Sequence, residues 1–373
     1  MNTLGQLKLE LLHRGVAFAQ NVRSHDLVAP GLFAEGDGQA VVLSLAEDFF
    51  VRTRMNPDKS AAFLIDVRDD QVVLDLEKGP LEVGVIPAPQ FLKNPRASRN
   101  PASALIQLDG YCLNVNLSLE DGTRQLNLSL EDTVSLIRAA FQEGVADLVQ
   151  LNMKHCIEKD RGFSRLAPLV QSIKKNFRTF VALRGFPPDD LEVIDSFYAA
   201  GVDLIAFPLE QYAEDGSPQL AISAKQGTKG LEYAAGVFGP GTVSTELALD
   251  GKHPQPLLEK ITALSKQGIL PLIKIPERGL YLTDNLQEMR RVADHLYKTA
   301  QKEKLNLKWL YPASGWISPL DAPFYTEKPK TSRLAQRPVY QSTLGKTASE
   351  GFAALRRKLR IKNVSDSYES AGL

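Results

Sequence analysis

The chain predicts an α/β fold: a (β/α) TIM-like barrel, partial or near-complete, preceded by a small antiparallel β subdomain. Three observations predict it. From residue 104 to 314, short apolar runs alternate with stretches of helical periodicity. About seven strand-like runs occur there, each entered from a helix exit, which favours a barrel over an open sheet. Before residue 100, in contrast, apolar runs follow one another with only turn residues between them.

In the first region, Leu4 to Phe18 has Leu4, Leu7, Leu11 and Leu12 near helical spacing and predicts an amphipathic helix. The runs 40–45, 49–55, 61–67, 71–76 and 81–86 predict a β-meander, broken at Asn56-Pro57-Asp58, Asp69-Asp70 and Lys78-Gly79-Pro80. Pro87, Pro89 and the polar stretch 93–101 form a linker. In the second region 104–117 is the predicted first strand with its exit, and further strands are predicted at 147–153, 179–186, 203–210, 242–249, 270–276 and 307–314. Helices are predicted at 131–145, 164–177, 188–202, 256–268 and from Asn285 to about Lys304, with a looser segment around 230–239. The glycine cluster 238–241 precedes a strand rather than a helix, so it reads as a tight turn and not a phosphate cradle. Glu350 to Lys362 reads as a basic amphipathic helix, a solvated or docked face rather than a lipid anchor. The expected division is 1–100, 101–320 and 321–373.

Composition bounds the function. The 373 residues, 43% hydrophobic and 24% charged, suit a soluble globular protein. Lys plus Arg equal Asp plus Glu at 44 each, so no overall basic field invites nucleic acid or acidic lipid. No signal peptide or run long enough for a membrane span is apparent. Cys112 and Cys156 are the only cysteines; they fit a reducing cytoplasm and cannot furnish four thiolates.

Reacting groups in such barrels come from strand C-terminal ends and the loops beyond them. That rule selects Asn114, Asn116, Asn152, Lys154, His155, Cys156, Arg184, Glu210, Glu246, Lys274, Glu277, Tyr311 and Ser314. Such a mouth suits a small polar metabolite. Asn114, Asn116, Asn152, Arg184, Glu210 and Ser244 are the groups for holding a cofactor or ligand, and Lys274, Glu246 and His155 those for catalysis. Lys274 could form an imine if burial lowered its pKa, or could pair with Glu246 or Glu277. Cys112, Cys156 and His155 could together ligate zinc or an atypical cluster; the plainer reading is one buried thiol and one loop thiol. His253 reads as a helix-start residue.

Segment order and wording across about residues 104–315 resemble the radical S-adenosylmethionine superfamily, especially its biotin-synthase-like members. The stretches that carry the resemblance are 110–119, 199–212, 238–254 and 256–277. The resemblance implies S-adenosylmethionine as cofactor, Glu210 as the carboxylate meeting its ribose, and a four-iron, four-sulfur cluster on Cys-x3-Cys-x2-Cys. In register with Cys112, the other two cluster positions hold Asn116 and Leu119, which are not thiolates. The expectation is therefore a homologue without a normal cluster that binds a small molecule or supports a partner, such as an intact radical enzyme. The alternatives are a radical enzyme with an atypical cluster on Cys112, Cys156 and His155, and an ordinary barrel lyase or transferase using Lys274 and Glu246.

Overall fold

The structure, a computed structural model, describes residues 3–19, 40–46, 49–56, 58–60, 62–69, 71–85, 106–109, 112–118, 129–142, 146, 148–212, 218–220, 222–249, 254–275, 286–307, 309–310 and 316–325. The linker 93–101, the basic segment 350–362 and Leu119, His253, Glu277, Tyr311 and Ser314 lie outside these residues.

Helix α1 spans Leu4–Arg14. Thr3 starts it with a capping box: Gln6 N donates to Thr3 Oγ1 (3.3 Å) and Thr3 N to Gln6 Oε1 (2.9 Å). The helix stops earlier than the spacing predicts, because Gly15 has φ 75° and a Cβ there would lie 2.7 Å from the Arg54 carbonyl oxygen. Val16–Phe18 then leave as strand β1, fully buried.

The expected single meander is instead two sheets. Strands β2 (Ala40–Ala46), β3 (Phe49–Arg54), β4 (Phe63–Arg68), β5 (Gln71–Leu76), β6 (Gly79–Glu82) and β7 (Gly84–Val85) follow in order. One sheet runs β1-β4-β5-β6, with β1 parallel to β4, and the other β3-β2-β7. The run predicted at 81–86 divides at Val83, pairing with β5 before it and with β2 after it. Leu7, Leu11, Val16, Leu43, Phe49, Val51, Ile65 and Leu74 join both sheets and α1 in one core. Burying apolar area, at about 25 cal/mol per Å², is what holds these short strands together.

The larger sheet contains β8 (Ile106–Asp109), β9 (Cys112–Leu117), β10 (Leu148–Met153), β11 (Phe180–Arg184), β12 (Leu204–Ala206), β15 (Val243–Ala248), β16 (Ile269–Lys274) and β17 (Trp316–Ile317). Its order is β8-β9-β10-β11-β12-β15-β16-β17: the six central strands are parallel, and β8 and β17 are antiparallel edges. The sheet curls into a half-barrel. Among the described residues no ladder joins β8 to β17, so the partial form of the predicted barrel is the one present. Helices α2 (Leu130–Gln142), α3 (Ala167–Asn176), α4 (Val193–Ala200), α5 (Ala224–Phe238), α6 (Pro254–Lys266) and α7 (Leu286–Lys302) intervene. Strand order following chain order, with right-handed crossovers, places helices on one face. Leu113, Val115, Leu117, Val149, Leu151, Val181 and Leu183 pack with the helices on that face.

Three sequence expectations change. The run 104–117 holds two strands, β8 and β9, which pair antiparallel with Asp109 opposite Cys112. The looser segment is the interior of α5, whose Leu231, Ala234, Val237 and Phe238 are buried. No strand covers Trp309–Leu310, and among the described residues the last strand is β17.

Residues Trp316–Tyr325 straddle the boundary expected at 320 and clasp α1. Lys8 Nζ lies 3.0 Å from Asp321 Oδ1 and 3.0 Å from the Trp316 carbonyl, with both charged side chains at 0% exposure. The Tyr325 ring lies on Gly5, and its hydroxyl is buried without a hydrogen-bond partner among the described residues. Burial pushes that phenol well above the usual tyrosine value, and Asp321 adds to the push. Tyr325→Phe should therefore raise stability by about 1 kcal/mol in urea denaturation at neutral pH. A raised folded pKa means stability that holds below the unfolded value of about 10 and declines above it, so the variant should also flatten the alkaline limb. A destabilised variant would show that the hydroxyl is satisfied.

Candidate ligand site on the inner sheet face

Side chains alternate faces along a strand, so the face opposite the helices is read directly from register. Cys112, Asn114 and Asn116 of β9 lie beside Leu148, Gln150 and Asn152 of β10, and these beside Phe180, Ala182 and Arg184 of β11. The row of Asn116, Asn152 and Arg184 continues through Ala206, Ser244 and Leu270. Cys112, Leu148, Ala182 and Leu204 make an apolar base, flanked by partly buried Phe180 and Trp309. Above the base the lining is polar.

The four amides bond to one another. Gln150 Nε2 donates to Asn114 Oδ1 (2.9 Å) and Asn152 Oδ1 (2.8 Å). Asn152 Nδ2 donates to Asn116 Oδ1 (2.9 Å), with a longer contact of 3.4 Å to Asn114 Oδ1. Beside them, Arg184 clasps Glu246 from two strands away: Nε donates to Oε1 and Nη2 to Oε2, the latter at 2.7 Å. Glu246 is nearly buried, at 4%, while Arg184 is 31% exposed. Such a fork fixes both side chains and cancels their charge. Half-buried amides in a concave lining can orient a polar ligand through paired donors and acceptors.

Several predicted roles are redistributed. Glu246 is taken by Arg184, not Lys274; the Lys274 ammonium lies 5.9 Å from the Trp316 ring centroid. Glu210 does not end β12: it opens a hairpin of β13 (Glu210–Tyr212) and β14 (Pro218–Leu220). Its Oε2 accepts from Ala248 N at 2.9 Å and its Oε1 from Lys260, so the carboxylate ties the hairpin to β15 and α6. That engagement does not fit the free ribose acceptor which the family resemblance implies. Ser244 is buried, its hydroxyl 3.5 Å from the Ile205 carbonyl. His155 and Lys154 are exposed beyond β10, the imidazole packed edge-on to Phe186 with centroids 5.2 Å apart.

The proposed metal trio is not brought together. Cys112 starts β9 opposite Leu148, the first residue of β10, whereas Cys156 lies beyond the end of that strand at Met153. At about 3.3 Å per residue the strand alone separates them by over ~16 Å, against thiolate–metal bonds of about 2.3 Å. Cys156 Sγ instead accepts from Glu158 N at 3.4 Å. Within the stretch 110–119 that carries the family resemblance, Cys112–Leu117 form strand β9, and Asn116 is part of the amide row. The residues present do not fit the four-iron, four-sulfur cluster.

Sequence reasoning missed Gln150, the hub of the network. The period-two alternation of Leu148–Met153 places Gln150 and Asn152 on one face, but attention to strand ends passed over a residue in mid-strand.

No family model and no curated protein matches the chain. Among solved structures it is similar to dihydropteroate synthases. That of Yersinia pestis is 14% identical, over 52% of this chain and 69% of that one, with a TM-score of 0.32. That of Xanthomonas albilineans is 16% identical, over 69% and 91%, at 0.32. That of Coxiella burnetii is 14% identical, over 49% and 68%, at 0.30. Likeness of this degree carries no argument about ligand or reaction. No described helix is long and apolar enough to cross a membrane.

Proposed function

We propose that this chain binds a small polar molecule on the inner sheet face, without a cluster and without radical chemistry. The observation that carries the reading is the linked set Asn114, Asn116, Gln150 and Asn152, set between an apolar base and the Arg184–Glu246 pair. Asn116 and Asn152 are one residue from the ends of their strands and Arg184 ends its own, where barrel enzymes hold their ligands. A polar array there lowers the stability of the sheet relative to an apolar lining, so a ligand role accounts for it better than packing does.

The resemblance to radical enzymes makes S-adenosylmethionine the first probe. Calorimetric titration would be run with it and with a panel of polar metabolites, on the wild type and on Gln150→Leu/Asn152→Leu. Binding to the wild type that weakens at least about tenfold in the variant, with thermal unfolding still cooperative, is the expected result. Equal binding by both proteins would move the site elsewhere. An anaerobic preparation holding close to four irons per chain would refute the cluster-free part.

A further inference from the structure

The amides form a chain with a direction, and this has a chemical consequence. Gln150 N–H points to the Asn152 oxygen, and Asn152 N–H to the Asn116 oxygen. Gln150 could be reversed only together with its asparagine partners, and reversing Asn114 would turn its oxygen towards the Cys112 carbonyl, which its Nδ2 now meets at 3.5 Å. Among the described residues, the Gln150 carbonyl at one end and the Asn116 amino group at the other are left without partners. Bonds aligned head to tail polarise one another, strengthening the acceptor at one end and the donor at the other. The Arg184 charge is matched by Glu246, so nothing in this row calls for an anion or a cation.

Resting on the reading that the inner face binds a ligand, we infer that the ligand is an uncharged molecule with an amide-type edge, a lactam, imide or ureide. Its N–H would donate to Gln150 Oε1 and its C=O would accept from Asn116 Nδ2, closing the amide chain into a ring. Gln150 and Asn116 are diagonal neighbours on adjacent strands, about 7–8 Å apart at Cα. A hydroxyl, which both donates and accepts, would not distinguish the two ends of the chain; an amide edge does. Phe180 and Trp309, partly exposed beside the buried Cys112, Leu148, Ala182 and Leu204, offer apolar surface for the flat remainder of such a molecule.

The test is saturation-transfer NMR on the full chain, using uracil and hypoxanthine as amide-edge probes. Controls are 1,3-dimethyluracil, which lacks N–H donors, erythritol as a polyol and succinate as a dianion. Uracil or hypoxanthine should bind and 1,3-dimethyluracil should not. Asn116→Asp, which replaces the terminal donor by an acceptor, should weaken binding about tenfold or more, while Asn116→Ser, which keeps a donor, should retain part of it. Erythritol or succinate binding in place of the amide-edge probes, and responding to Asn116→Asp, would overturn the ligand class and leave the site standing. No response from any probe, in the wild type or the variants, would overturn both.

Discussion

Lys8→Met should destabilise the protein by about 3–5 kcal/mol, the cost typical of removing one partner from a buried ion pair. The Lys8 ammonium is fully enclosed, between Asp321 Oδ1 and the Trp316 carbonyl, each at 3.0 Å, with its charge 5.1 Å from the centre of the Phe49 ring. Asp321 could not escape to water once the ammonium was gone. Its other oxygen is held by Ser318 N at 2.7 Å and Ser318 Oγ at 2.6 Å. The charge would stay buried and lose its counter-ion. Lys8→Met/Asp321→Asn should recover a large part of the loss, because the asparagine is neutral and can still accept from Ser318. Urea denaturation of the three proteins decides it. A single-variant loss below about 1 kcal/mol would mean that water reaches this pair.

Gly241→Ala should cost at least about 3 kcal/mol or prevent folding, for two reasons that add. Gly241 has φ 76°, where an L side chain costs of order 1 kcal/mol or more. Its Cβ would also lie 2.3 Å from Asn306 N and 2.9 Å from Asn306 O, which are backbone atoms without a rotamer to change. The turn is anchored on both sides: Gly241 N donates to the Gly268 carbonyl at 2.7 Å, and Trp309 Nε1 donates to the Gly241 carbonyl at 2.6 Å. Displacing it would displace β15, and with it Ser244 and Glu246, so any ligand affinity should fall as well. Gly236→Ala is the matched control: it lies within α5 with nothing within 4 Å of its Cβ, and should stabilise by about 0.5–1 kcal/mol. Thermal unfolding of both variants reads the contrast, and similar curves would defeat the prediction.

Strand and helix identity was legible wherever one period dominated over a whole element. The runs that became β10, β11, β15 and β16 are short and apolar between turn residues, and α6 and α7 keep their helical spacing throughout. Legibility failed where a single residue redirected the chain. Gly15 divides a helix from a strand within one apolar run, Val83 divides a strand between two sheets, and what reads as one strand is the antiparallel pair β8 and β9. The site followed the same rule. Asn114, Asn116, Asn152 and Arg184 were found because strand ends are where ligands sit. Gln150 was not, and the partners of Glu246, Glu210 and Lys274 were assigned by chemical plausibility, which cannot say who is adjacent.

Alternation of apolar and polar residues, set by the two backbone periods, is local, and so the sequence by itself determined an α/β chain with a β-rich start and its polar strand positions. Which strand neighbours which, and in what register, depends on contacts between residues far apart in the chain. Only the tertiary structure decided that Arg184 meets Glu246, that Cys112 and Cys156 stand at opposite ends of the β9–β10 pair, and that Lys8 finds Asp321 across the molecule. Burial is the physical reason: it makes such pairings energetically consequential, and it is a property of the assembled sheet and helices that no single segment carries.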